Sequence, residues 1–420
     1  MKNHLALGAI AILLGTTVVN AAKVRYTLSD PGSTFEGMAL GEQGQIVGRA
    51  NFSGQLHAAI FANGAIVDYG VITGGSQALI NAITPDGTFA IGTGDIAGGA
   101  LKTFIVDLAD PTNKSALSTT GNYAAINNAL QLGGSATFGM ATHAARFDYP
   151  GGTENDLGAL PGGTSSVGVA INASNTIVGW SEVNGSLSHA FIQSGAAMND
   201  IGTLGGSTSS AAAVNDADLV VGVSRDASNK IQPFLYSAGT GIQKLQPFSG
   251  SAISGDAVDI NNHNDILGTA DFSDNTTKIF VLSGNETIDV NASTVLPAGY
   301  ELRDPMSLND GGQILVTVKA PDSQFLRAAL LTPTVVPAPV VLTKKKKITT
   351  NKAAINLVGT TSGETDSVSY RVGKGPVKTA RGVQSWKIKV KLKPGKNLVT
   401  ITASGYGGSS APVKITIRRN

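Results

Sequence analysis

A nine-residue pattern recurs seven times along this chain and constrains its fold more than any other feature. It is clearest as INASNTIVG from Ile171. It returns as LGEQGQIVG from Leu40, ITPDGTFAI from Ile83, INNALQLGG from Ile126, VNDADLVVG from Val214, INNHNDILG from Ile260 and LNDGGQILV from Leu308. The spacings between starts are 43, 43, 45, 43, 46 and 48 residues, the period of a propeller blade. The fifth position is Gly44, Gly87, Leu130, Asn175, Asp218, Asn264 and Gly312. Six of these are residue types that tolerate φ > 0, as a hairpin turn requires. The seventh position is Ile46, Phe89, Leu132, Ile177, Val220, Ile266 and Ile314, all apolar, as expected where a second strand enters a core. Each repeat therefore opens as strand, tight turn, strand.

Two more strands follow in each unit. HAFIQ from His189, HAAIF from His57 and HAARF from His143 mark the third, with KTFIV, QPFLY, KIFVL and RAALL in the same place from Lys102, Gln232, Lys278 and Arg327. MNDIGTL, IVDYGVI and ENDLGAL mark the fourth. Four strands per repeat make one blade. The last repeat runs into prolines without a fourth strand, while VRYTLSD from Val24 has no repeat of its own. An N-terminal strand completing the last blade would leave no open edge. The expectation is an all-β chain: a seven-bladed β-propeller closed by an N-terminal strand, favoured over an open β-solenoid.

Residues 1–22 read as a signal peptide: Lys2, an apolar core from Leu5 to Leu14, and small residues near Ala21. The apolar stretch is short for a membrane span, so the mature chain is expected to be exported without one. There are no cysteines, which excludes disulfides and thiolate chemistry. Charge divides the rest. Residues 22–342 hold 13 Lys/Arg and 27 Asp/Glu, and residues 343–420 hold 17 and 2. Separate domains follow: the propeller over 23–333, a Pro/Lys-rich linker over 334–347, and short alternating strands over 348–420 that suggest an immunoglobulin-like sandwich.

The chemistry-bearing residues are sparse. His57, His143 and His189 share one column, but equivalent positions in different blades do not converge, and hydrogen bonding on a strand accounts for them. Calcium is the one ion the residues would allow, at DFSDNT from Asp271 and NNHNDI from Asn261, although Asx turns explain both. Gly162-Gly163 and Gly205-Gly206 precede no helix that would hold a phosphate. No nucleophile elbow, zinc helix or P-loop is present. No catalytic, cofactor-binding or metal-ligating residue is assigned. Trp180 and Tyr236 are the obvious stacking candidates.

The run from His189 to Gly222, HAFIQSGAAMNDIGTLGGSTSSAAAVNDADLVVG, resembles the HAF extracellular repeat of bacterial proteins, and the resemblance covers roughly 23–333. It implies an exported bacterial protein and carries over no activity. WKIKVKLKPGKNLVTITASG from Trp386 resembles bacterial Ig-like domains, whose implied role is a spacer or attachment element. In that strand Trp386, Ile388, Val390 and Leu392 should face the core, leaving Lys387, Lys389, Lys391 and Lys393 as a ladder in solvent. The ladder reads either as an edge guard or as a polyanion site. The expected function is a non-catalytic binding or structural protein, secreted or in the cell envelope, whose basic module attaches to an anionic polysaccharide or cell-surface component. No specific nucleic acid partner is expected. The alternative is a carbohydrate-active enzyme, a lyase or hydrolase with its site in the propeller channel.

Overall fold

The structure is a computed structural model and describes residues 23–119, 121–185, 187–195, 197–336, 340–343, 346–362, 365, 367–405 and 408–420. The signal peptide expected over 1–22 lies outside the described residues, as do Lys344 and Lys345. Two compact units emerge, one over Tyr26–Pro333 and one holding Thr334–Asn420.

The first unit is a succession of sheets, one per repeat, antiparallel except in the last, where Lys23–Ser29 pairs parallel with Thr294–Val295. In the fourth, Ser166–Ile171, Ile177–Asn184, Leu187–Ser194 and Ala197–Gly202 pair in sequence order. Five others share this order over 35–70, 78–116, 122–156, 205–244 and 254–289. The seventh is built differently. Its order is Thr294–Val295, Lys23–Ser29, Leu326–Val336, Ile314–Lys319, Glu301–Leu308. The orphan N-terminal strand thus lies beside the third strand of the last repeat.

The nine-residue pattern is the first hairpin of every sheet. Its first residue ends a strand in each case, at Leu40, Ile83, Ile126, Ile171, Val214, Ile260 and Leu308. The fifth residue has positive φ in all seven repeats, from 57° at Leu130 to 81° at Gly44. Asn175 shows the geometry. Its N–H donates to the Asn172 carbonyl at 3.1 Å, and the Asn172 N–H donates to the Thr176 carbonyl at 3.1 Å. This is a type I turn closed by a left-handed residue. Leu130 adopts the same conformation without the glycine or amide that eases it.

The second repeat departs from the expectation by one residue. Elsewhere the first and seventh residues pair, as Ile171 with Ile177. Here Ile83 pairs with Ala90, because the turn closes from the Thr84 N–H to the Phe89 carbonyl. Ala90 is buried and takes the core place expected of Phe89.

The core between strands follows one cross-strand pairing. Phe104, Phe191, Phe234 and Phe280 pair with Gly92, Gly179, Gly222 and Gly268. The rings are fully buried, each contributing about 2–3 kcal/mol. A Cβ on Gly268 would stand 2.1 Å from the Asp256 carbonyl oxygen and 2.7 Å from the Phe280 ring. The glycine provides the space that the ring occupies.

Adjacent sheets are fastened by buried serines. Ser209 Oγ accepts the Ala190 N–H at 2.8 Å and donates to the Gly202 carbonyl at 2.5 Å. Ser166 does the same with Ala144 and Gly158. The His-Ala and Asp-x-Gly elements of the repeat are therefore the two backbone sites that the following sheet grips.

The second unit is a two-sheet sandwich. One sheet orders Val340–Leu342, Ala354–Ser362, Ser385–Lys391; the other orders Lys347–Thr350, Val413–Arg419, Gly395–Gly405, Ser367–Val372, Lys378–Thr379. Trp386, Ile388 and Val390 of the first meet Val399, Ile401, Ile415 and Ile417 of the second in one core. The segment 334–347, expected as a linker, supplies Val340–Leu342 and opens the strand Lys347–Thr350. The sandwich therefore begins near Val340 rather than at 348.

Candidate functional site

The second position of the pattern supplies a buried run of linked side chains that sequence reasoning did not single out. It is asparagine in five repeats. Asn127, Asn172, Asn215, Asn261 and Asn309 are each nearly inaccessible to solvent. Their Nδ2 groups donate to the next sheet's carbonyl in turn: Asn127 to Asn172, Asn172 to Asn215, Asn215 to Asn261, Asn261 to Asn309, and Asn309 to Gly41, at 2.9–3.2 Å. The last bond returns to the first sheet. Each Oδ1 holds its own turn; that of Asn215 accepts the Ala217 and Leu219 N–H groups, both at 3.1 Å. One asparagine thus satisfies the hairpin and its neighbour together.

The third position repeats the device with carboxylates and amides. Asp216 accepts from the Ala173 N–H, Asn262 from Asp216, Asp310 from Asn262 and Glu42 from Asp310, at 2.7–3.0 Å. Asn128 Oδ1 accepts the Asp86 N–H at 3.0 Å, and Gln43 donates to the Asp86 carbonyl at 3.3 Å. The signal for both sets was legible as Asn, Asp or Glu beside the turn. What they touch was not.

These hairpins enclose a cavity of about 300 Å³ to which all seven sheets contribute, among them Glu42, Pro85, Asn128, Ala173, Asp216, Asp259 and Asp310. Asp259 is its most perturbed group. It accepts the Leu308 N–H at 2.7 Å, the Ser307 hydroxyl at 2.9 Å and its neighbour Ile260 N–H at 2.8 Å. Burial nevertheless pushes its pKa up to about 6, with Asp310 adding repulsion. Burial also raises Glu42, against the Asp310 N–H that it accepts, and Asp310 and Asp259 raise it further. Chemically the cavity offers acceptors already engaged by backbone amides and two carboxyls, Asp259 and Glu42, that hold their protons more readily than usual.

The histidines do not meet. His57, His143 and His189 bond through Nδ1 to Asp68, Asp156 and Asp200 of the adjoining strand at 2.8–2.9 Å, each pair within its own sheet. Each aspartate also accepts an N–H two residues on, from Gly70, Gly158 or Gly202. The segments weighed for calcium turn their oxygens to their own chain. Asn261 Oδ1 accepts the His263 and Asp265 N–H groups, and Asp271 accepts the Ser254 and Thr277 hydroxyls. The paired glycines meet backbone: a Cβ on Gly163 would lie 1.9 Å from the Glu182 carbonyl oxygen. Trp180 and Tyr236 are half-buried, on different sheets.

In the sandwich, Trp386, Ile388, Val390 and Leu392 are buried and Lys387, Lys389, Lys391 and Lys393 are exposed. Ser385–Lys391 is an edge strand of its sheet.

No family model matches the chain, and no curated protein matches it. Among solved structures, TolB from Acinetobacter baumannii is similar at 11% identity and a TM-score of 0.36, over 74% of this chain and 64% of TolB. The BP39L lectin from Burkholderia pseudomallei is similar at 13% and 0.39, over 74% of this chain and 96% of the lectin. The β-propeller domain of the Trilobed protease from Pyrococcus furiosus is similar at 12% and 0.32, over 89% and 96%. This chain spans about two thirds of TolB, and none of the three is near enough to transfer an activity.

Proposed function

We propose that this is an exported bacterial protein of the HAF-repeat kind, non-catalytic, with a closed seven-bladed propeller and an Ig-like module that attaches to anionic polymers. The two hydrogen-bonded sets of turns, which together link each sheet to the next, carry this reading. The polar side chains facing the axial cavity are already engaged with backbone groups of neighbouring sheets. A site built for chemistry needs groups held ready for a substrate; these hold the ring together instead. The strand Lys23–Ser29 beside Leu326–Val336 supports closure of the last blade. The exposed lysines of 387–393 support a cationic attachment surface.

One observation favours the second reading, a carbohydrate-active enzyme: Asp259, with its pKa pushed up to about 6, lies near Glu42 in the cavity, and paired carboxyls are the machinery of glycoside hydrolysis. A screen of the purified protein against neutral and acidic polysaccharides decides between them. The non-catalytic reading expects no turnover. Turnover lost in Asp259→Asn, with the fold intact, would establish the enzyme.

A further inference from the structure

The sandwich carries a second cationic surface, on the sheet opposite the lysine ladder. Val399, Ile401, Ile415 and Ile417 point into the core, so their alternating neighbours point outward. Strand pairing places Arg371 beside Thr400 and Thr400 beside Lys414. It also places Lys396 beside Arg418 and Lys347 beside Thr416. All five cations are exposed. The described residues of this unit hold no Asp or Glu, so none of the five has an ion-pair partner among them.

This surface is harder to explain by stability than the ladder. Lysines on an edge strand deter edge-to-edge pairing, and Ser385–Lys391 is such an edge. Gly395–Gly405 and Val413–Arg419 are interior strands, paired on both sides, so no edge needs guarding there. Like charges directly opposite one another destabilise a sheet, as Lys396 and Arg418 do.

We propose that the outer face formed by Lys347, Arg371, Lys396, Lys414 and Arg418 is the principal polyanion site of the module, and that it takes an acidic polysaccharide. This rests on the reading of the C-terminal unit as a polyanion-binding module. The two arginines match carboxylates bidentately. Thr349, Thr400, Thr402 and Thr416 lie on the same face between the cations, and their hydroxyls both donate and accept, as sugar hydroxyls require. Among the described residues the face carries no aromatic ring, the platform on which single-stranded nucleic acid stacks.

The test measures binding of the full chain to polygalacturonate and to single-stranded DNA across a salt series. The K347S/R371S/K396S/K414S/R418S variant should lose about ten-fold or more in affinity for polygalacturonate at low salt and show a flatter salt dependence. The K387S/K389S/K391S/K393S variant should lose less. Lys396→Glu serves as the folding control, since it faces Arg418 and turns a repulsion into an attraction; it should unfold no more easily than the parent while binding more weakly. An equal or larger loss in the ladder variant would overturn the assignment and leave the polyanion reading standing. Tighter binding to DNA would overturn the polysaccharide. No binding of the parent chain to either polymer would remove both readings.

Discussion

Arg327 Nη2 and Asp30 Oδ2 stand 2.5 Å apart, joining the last repeat to the segment that precedes the first. Arg327 occupies the column that His57, His143 and His189 fill elsewhere, and Asp30 stands where Asp68, Asp156 and Asp200 do. Lys278 and Asp289 make the same cross-strand pair at 2.8 Å. The residue that follows the N-terminal strand therefore contributes the acid that a fourth strand would have supplied. Tyr300 joins the pair, donating to Asp30 at 2.8 Å and accepting from Arg327 at 2.9 Å.

Asp30→Ala should destabilise the first unit by about 3 kcal/mol, because it leaves a buried guanidinium short of its closest partner. The exposed Asp322, 3.1 Å away, softens the loss. Urea denaturation measures it. A change below about 1 kcal/mol would mean the pair is no more than a surface ion pair.

The run of linked asparagines predicts a contrast between buried and exposed polar residues. Asn215→Ala removes two donated and two accepted bonds in a buried setting and should cost about 3 kcal/mol. Asn128→Ala removes one bond at an exposed site and should cost under about 1 kcal/mol. Equal unfolding midpoints would refute the buried asparagines as the fastening element.

Gly268→Ala should cost about 3 kcal/mol, since the added methyl collides with the Asp256 carbonyl and the Phe280 ring and must displace one strand. Combining it with Phe280→Leu should recover part of the ring clash and none of the carbonyl clash. Full recovery in the double variant would show the backbone contact to be unimportant.

The Asp259 carboxyl gives a pH signature. Its native pKa, about 6, lies above the ordinary value near 4, so between these values the native state holds a proton that the unfolded chain has released. This contribution to stability therefore falls as pH rises from about 4 to about 6 and is level beyond. Asp86, Asp95, Asp110 and Asp274 are held low chiefly by side-chain and backbone hydrogen bonds and act in the opposite direction as pH falls. The difference between the parent and Asp259→Asn isolates the effect. The variant should gain on the parent as pH rises through that window, and a difference independent of pH would contradict the raised value.

Much of the architecture was legible in the chain itself. Turn chemistry is local: Asn175, Asp218 and Gly312 announce a left-handed residue because only such types enter that conformation cheaply. Core alternation is equally local, so Trp386 to Lys393 sorted into buried and exposed faces from period two alone. The repeat period set one sheet per repeat. Tertiary structure decided what local pattern cannot encode. Asn172 looks like any turn asparagine, yet its Nδ2 reaches the sheet of the next repeat. The extra residue in the turn after Ile83 is invisible until pairing shows Ala90 in the core place. The charges at Lys347, Arg371, Lys396, Lys414 and Arg418 lie far apart along the chain, and only strand pairing assembles them on one face. Short-range sterics and hydrophobic alternation act within a few residues and so are written in sequence; hydrogen-bond partners and charged surfaces depend on which distant strands the fold brings side by side.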